Sequence, residues 1–129
     1  ALAAAHFLDD IPVVFAKKSL AANQSADMLT AVAHSFTHGN DNALRVDRRY
    51  LPAGSRVLVV DDFLADGEAS RALISIVEQA GCMLVGVGIA VEKGFQPGGR
   101  KLREAGVNLK SLAIVTSIQD GRIQLADDD

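Results

Sequence analysis

The segment from Val57 to Ala69 constrains the chain more than any other. Val57-Leu58-Val59-Val60 runs straight into Asp61-Asp62. Phe63-Leu64-Ala65-Asp66-Gly67 follows, and a helical pattern starts at Glu68. A short, unbroken apolar run bounded in this way suits a strand of a parallel sheet, buried on both faces. The segment therefore predicts a strand, a small-residue loop and a helix N-terminus in succession. The first turn of a helix carries N–H groups without intrahelical partners at the positive end of its dipole, which together favour an anion such as phosphate. Gly67 lets the backbone adopt a left-handed φ and come close to that anion. The two carboxylates suit the opposite kind of partner: hydroxyl groups, a magnesium ion reached through water, or developing positive charge. A ligand with a phosphate, a diol and a cation-like carbon satisfies the whole segment, and a 5-phosphoribosyl group has all three.

The remaining chain reads as alternating strands and helices. Ala1 to Leu8 predicts an alanine-rich packing helix, and Ile11 to Ala16 a short buried strand ending at Lys17-Lys18. Ser19 to Asp27 is small and polar without periodicity, which reads as a loop of functional length. Met28 to Thr37 and Ala43 to Tyr50 flank the turn cluster His38-Gly39-Asn40-Asp41-Asn42 and predict an antiparallel hairpin. Pro52-Ala53-Gly54 then leads into the Val57 strand, expected at the centre of the sheet. Glu68 to Ala80 predicts the best helix, with Ala69, Leu73, Ile76, Val77 and Ala80 on its buried face and Gly81 ending it.

Met83 to Val91 is a continuous apolar strand. Its second face, Leu84, Gly86, Gly88 and Ala90, has so little bulk that a closely packed helix or flat ligand is expected over it. Pro97 to Ala105 predicts a short helix, and Ser111 to Ile118 with Arg122 to Leu125 a hairpin about Asp120-Gly121. The expected class is α/β: a mostly parallel sheet flanked by helices, a Rossmann-like core with an antiparallel hairpin flap. Ligands of open α/β sheets bind beyond the carboxyl ends of the strands. Three predicted strands end there in charged pairs, Lys17-Lys18, Asp61-Asp62 and Glu92-Lys93, as a shared polar ligand would require.

Composition narrows the function classes. A length of 129 residues predicts one domain, and 49% hydrophobic residues are ample for a core. A net charge of -3 argues against a nucleic-acid surface held by bulk charge. The single cysteine, Cys82, forms no internal disulfide and fits a reducing cytosol. The apolar run from Cys82 to Val91 is far shorter than the ~20 residues of a membrane span. His6, His34 and His38 are scattered, with no acid or serine at catalytic spacing, and no metal-ligand cluster is visible. Gly98-Gly99-Arg100 reads as a structural helix start.

The segment Val60-Asp61-Asp62-Phe63-Leu64-Ala65-Asp66-Gly67-Glu68-Ala69 resembles the signature of the type I phosphoribosyltransferases. Within that family it is similar to the bacterial xanthine-using members, whose segment reads Val-Asp-Asp-Phe-Leu-Ala-Asn-Gly-Gln-Ala. A second segment, Glu92-Lys93-Gly94-Phe95-Gln96-Pro97-Gly98, resembles their Glu-Lys-x-Phe-Gln-Pro-Gly. The resemblance spans about Ile11 to Leu125. It implies an enzyme that joins xanthine to 5-phosphoribosyl pyrophosphate, giving xanthosine monophosphate and pyrophosphate in purine salvage. It further implies a cytoplasmic homodimer that uses Mg²⁺ with the sugar pyrophosphate and has no direct protein ligands for the metal.

Carried over by position, Asp61 and Asp62 are catalytic, and Ala65, Asp66, Gly67, Glu68 and Ala69 bind the 5′-phosphate. Lys17 and Lys18 contact pyrophosphate, and Lys93 and Phe95 contact the purine. The loop from Ser19 to Asp27 closes over the site. Asp66 and Glu68 depart from the family's uncharged pair and are expected to point away from the phosphate. The family's members are longer, so a single domain lacking an N-terminal portion, which would carry part of the base pocket, is expected. Two alternatives accompany this reading. One is a non-enzymatic regulator of purine genes that senses the same sugar pyrophosphate; the other is a phosphoribosyltransferase for another purine such as adenine.

Overall fold

Two sheets share one helix, and that helix explains where the core lies. The computed structural model describes residues 1–19, 27–34 and 42–127. After a short helix α1 (Leu2–Phe7), strands β1 (Lys17–Ser19), β2 (Met28–Ala33) and β3 (Asn42–Asp47) form a three-stranded antiparallel sheet in the order β1-β3-β2. A 3₁₀ turn (Arg48–Tyr50) leads to β4 (Arg56–Leu64), α2 (Glu68–Gln79), β5 (Met83–Lys93), α3 (Gly98–Glu104), β6 (Leu109–Gln119) and β7 (Arg122–Leu125). The second sheet runs β4-β5-β6-β7, parallel across its first three strands and antiparallel at β7. This is the expected α/β class with an antiparallel flap.

The helix α2 buries two stripes rather than one. Ala72, Ile76 and Ala80, four residues apart, pack with Leu29, Leu44, Val46 and Leu51 of the flap. Val77 packs with Val59, Leu64, Val87, Ile89 and Leu109 of the parallel sheet and with Leu102 of α3. Full burial of a side chain of this size is worth about 1.5–3 kcal/mol. Because α2 has sheet on two sides, Ser70 is buried and Ala69, expected inside, is exposed.

Three further expectations give way. Ile11 to Ala16 is not a strand: its Ile11 is 44% and its Phe15 64% exposed, and regular pairing begins only at Lys17, on β3. A strand needs a neighbour for its backbone groups, and among the described residues this segment has none. Lys17-Lys18 therefore belongs to the flap, not to the end of a parallel strand. The Val57 strand is an edge of its sheet, not the centre. Its Val59 is buried, whereas Leu58 and Val60 lie on a part-exposed face. The small-residue face of β5 is closely packed at Gly86, where a Cβ would stand 2.9 Å from Asn108 carbonyl oxygen, and open at Gly88, where a Cβ would meet nothing nearer than 4.0 Å. The helix at the N-terminus also buries less than expected: only Ala5 is inside. The turn cluster at His38 and most of the Ser19 to Asp27 loop lie outside the described residues.

Candidate active site

Parallel pairing brings the ends of β4 and β5 side by side. Asp61 stands opposite Ile89, Phe63 opposite Val91 and Leu64 opposite Glu92, so Lys93 is one step along from the turn that follows Leu64. The two family-like segments thus meet at one edge of the sheet, the carboxyl edge where such sheets bind ligands. The strand continues through both carboxylates, further than the sequence pattern implied.

Asp61 is half-buried, and burial raises its pKa above the ordinary 3.8; the charge of Lys18 acts in the opposite direction. Lys18 is therefore within electrostatic reach of the acidic pair. Lys17 lies opposite Arg45, on the other side of its strand from Lys18. Each carboxylate also receives a backbone N–H: Asp62 N–H donates to Asp61 Oδ1 at 2.9 Å, and Phe63 N–H to Asp62 Oδ1 at 2.8 Å. One oxygen of each is so occupied, which fixes the direction of the other.

Gly67 occupies the N-cap of α2 at φ 87°, a left-handed value that suits glycine. Arg71 N–H donates to Gly67 carbonyl oxygen at 2.9 Å, the first regular helical bond, so the amides before it are those a helix leaves unpaired. One of them is taken: Glu68 N–H donates to Asp66 Oδ1 at 3.0 Å. Asp66 turns onto the helix start instead of away from it. Glu68 is turned aside towards Arg71, 3.5 Å from Glu68 Oε1. Ala65 is part-buried, and Ala69 is exposed at the same turn.

Lys93 takes part in none of the ion pairs among the described residues. Its ammonium lies 5.9 Å from the centroid of the Phe63 ring, at the outer reach of a cation–π contact. Phe63 is 56% exposed and was assigned no role from sequence, although it directly follows the acidic pair. Phe95 is half exposed and lines a shallow depression with Gly94, Gln96, Pro97 and Arg100, so it is not a core residue.

The sequence pattern sets Glu92 with Lys93 among the charged pairs at the ligand edge, but its side chain is buried in a cluster of its own. Its side chain is 4% exposed and accepts two hydrogen bonds from Arg103, at 2.7 and 2.8 Å, and a third from Ser111 Oγ at 2.5 Å. The Arg103 guanidinium holds the carboxyl below the ordinary 4.5. Charge type alone could have suggested a partner for a buried acid, but not that it would come from α3.

A cavity of about 360 Å³ lies among Ser117, Gln119, Asp120, Arg122 and Gln124 of the β6–β7 hairpin and contains none of the expected site residues. Among the described residues, no three His, Cys, Asp or Glu side chains gather as a metal cage. No described helix is long and apolar enough to cross a membrane.

No sequence-family profile matches the chain. Individual proteins do. Over 120 residues it is 46% identical to xanthine phosphoribosyltransferase 1 of Clostridium perfringens, covering 93% of this chain and 63% of that protein. Over 117 residues it is 51% identical to the xanthine phosphoribosyltransferase of Bifidobacterium animalis subsp. lactis, covering 91% of this chain and 60% of that one. The chain therefore spans less than two thirds of the length of these relatives. Among solved structures, adenine phosphoribosyltransferase from Thermoanaerobacter pseudethanolicus superposes with a TM-score of 0.71 at 27% identity, over 85% of this chain and 59% of that one. With the acidic pair, the glycine turn and Lys93 gathered at one sheet edge, the chain is thus similar along nearly its whole length to phosphoribosyltransferases.

Proposed function

We propose that the full-length protein transfers the 5-phosphoribosyl group of 5-phosphoribosyl pyrophosphate to xanthine, releasing pyrophosphate and xanthosine monophosphate. The observation that carries this reading is the register that sets Lys93 beside the turn after Asp61-Asp62. A purine nitrogen attacks C1′ of the ribose as the bond to pyrophosphate breaks, and the purine gives up its proton. Positive charge develops on the ring, and preorganised negative groups stabilise it. Asp61 and Asp62 supply those groups and accept from the ribose hydroxyls. The amides of residues 65 to 69, apart from that of Glu68, which Asp66 holds, receive the 5′-phosphate at the helix start.

Lys17 and Lys18 serve the leaving pyrophosphate. Lys18 has the stronger support, because its charge acts on Asp61. Magnesium commonly binds through substrate phosphates and one or two carboxylates while keeping several waters. The donor set fits that mode: two carboxylates without a protein cage. Bound on the sugar pyrophosphate, the ion would neutralise the departing charge. Lys93 donates to a carbonyl oxygen of the base. Adenine has no such oxygen, and the similarity to xanthine-named relatives is far higher than to adenine-named structures; both support xanthine. A cytoplasmic homodimer accompanies this reading by family resemblance.

The test is steady-state turnover by the full-length protein with ribosyl pyrophosphate, Mg²⁺ and a panel of purines. Xanthine should be the preferred base. Lys93→Ala should lower kcat/KM for xanthine by roughly 10–100-fold, the scale of one charge-assisted hydrogen bond. Preference for adenine, or unchanged xanthine kinetics in the variant, would remove Lys93 and its oxopurine from the account.

A further inference from the structure

The glycine pair Gly98-Gly99, which sequence alone reads as an ordinary helix start, sits against both halves of the site. Gly98 N–H donates to Ala65 carbonyl oxygen at 3.0 Å, inside the phosphate turn. A Cβ placed on Gly98 would stand 2.5 Å from that same oxygen, 2.6 Å from Gly67 N and 2.7 Å from Asp66 C. All three are backbone atoms, which cannot rotate out of the way as a side-chain end can. From the other side, a Cβ on Gly67 would meet Gly98 Cα at 3.1 Å. The two backbones are in direct contact, and both glycines of the pair are buried.

The neighbouring Gly99 faces a different part of the site. A Cβ there would overlap Glu92 Oε1, the carboxylate that Arg103 and Ser111 hold. Glu92 directly precedes Lys93. The helix α3 is thus fixed at both ends: its first residue rests on the phosphate turn, and its Arg103 grips the residue before the base-side lysine.

We propose that Gly98 is a positioning residue that ties the phosphate turn to the base-side loop, so that each half of the site holds the other in register. This rests on the phosphoribosyltransferase reading above. Gly98 touches no substrate; it acts through Ala65 and Gly67. Occupying the phosphate turn therefore stiffens the loop from Lys93 to Gly98, and the base then meets a preformed contact.

Two measurements on the full-length protein test this. The first uses ribose 5-phosphate as the probe, with no base present, and follows hydrogen exchange in the wild type. Exchange should slow at residues 93–99 as well as at 65–69; protection confined to 65–69 would overturn the proposal. The second compares Gly98→Ala with Gly99→Ala. Gly98→Ala should weaken ribose 5-phosphate binding by about 10-fold or more, the scale of one good contact. Gly99→Ala should mainly raise KM for xanthine through Glu92 and Lys93. A general packing defect would move both variants together, and that result, or unchanged binding in a folded Gly98→Ala, overturns the proposal. Should Gly98→Ala not fold, the exchange experiment decides alone. A wild type that binds no ribose 5-phosphate overturns the functional reading itself, and the inference with it.

Discussion

At the scale of single residues, the proposed phosphate turn carries charge at Asp66 and Glu68 that the family pattern it resembles lacks. Asp66 Oδ1 caps Glu68 N–H, a role that an asparagine oxygen fills equally well. The second carboxylate oxygen and the full negative charge add nothing to that cap and oppose a phosphate bound at the same turn. Asp66→Asn should therefore keep the helix start and strengthen ribosyl pyrophosphate binding. Like charges a few ångströms apart in a solvated site cost about 1 kcal/mol, which is roughly 5-fold in Kd. Isothermal titration of both proteins checks this; weaker binding in the variant would mean that the Asp66 charge is itself used. The resemblance made this departure visible in the sequence, but not the direction in which Asp66 turns.

Among elements, α3 depends on the buried pair between Glu92 and Arg103. A lone buried carboxylate is costly, and here the guanidinium and a serine hydroxyl satisfy it. The folded carboxyl titrates below its ordinary 4.5 because Arg103 hydrogen-bonds it. The folded chain therefore keeps Glu92 charged at pH values where the unfolded chain takes up a proton. The contribution of the pair is complete above about pH 4.5 and is lost as pH falls from there through the lowered folded value. Denaturant unfolding at a series of pH values should show a steeper acid limb for the wild type than for Glu92→Gln. Equal slopes would place the acid sensitivity elsewhere.

Element types were largely legible from the chain. The 3.6-residue spacing of Leu73, Ile76, Val77 and Ala80 marked α2, and Asp120-Gly121 marked the last hairpin, whose two turn residues have φ 49° and 71°. The second stripe of α2 was not legible, because a helix between two sheets has no single polar face to contrast with. The edge position of β4 was hidden for a related reason. Val57 to Val60 is as apolar as a central strand, and periodicity does not report how many neighbours a strand has. Ile11 to Ala16 failed as a strand because apolar residues make one only where a partner accepts the backbone bonds.

Across the whole molecule, two sheets pack on one helix whose N-terminus is the proposed phosphate turn. The acidic pair, Gly67 and Lys93 were legible because two local segments carried them in order. The Glu92–Arg103–Ser111 cluster and the Gly98 contact were not, because they join residues distant in sequence that no local pattern pairs. The central claim is that the turn at Gly67 receives the sugar phosphate. Its most direct test is thermal unfolding of the wild type and Gly67→Val, with and without ribosyl pyrophosphate and Mg²⁺. A ligand held by the native state at about 100 times its Kd adds about 2.7 kcal/mol, so the wild-type Tm should rise by several degrees. Valine at φ 87° strains the turn and its Cβ crowds Gly98, so a folded Gly67→Val should show no rise. A folded Gly67→Val that shifts as fully as the wild type, or a wild type that does not shift, would contradict the account.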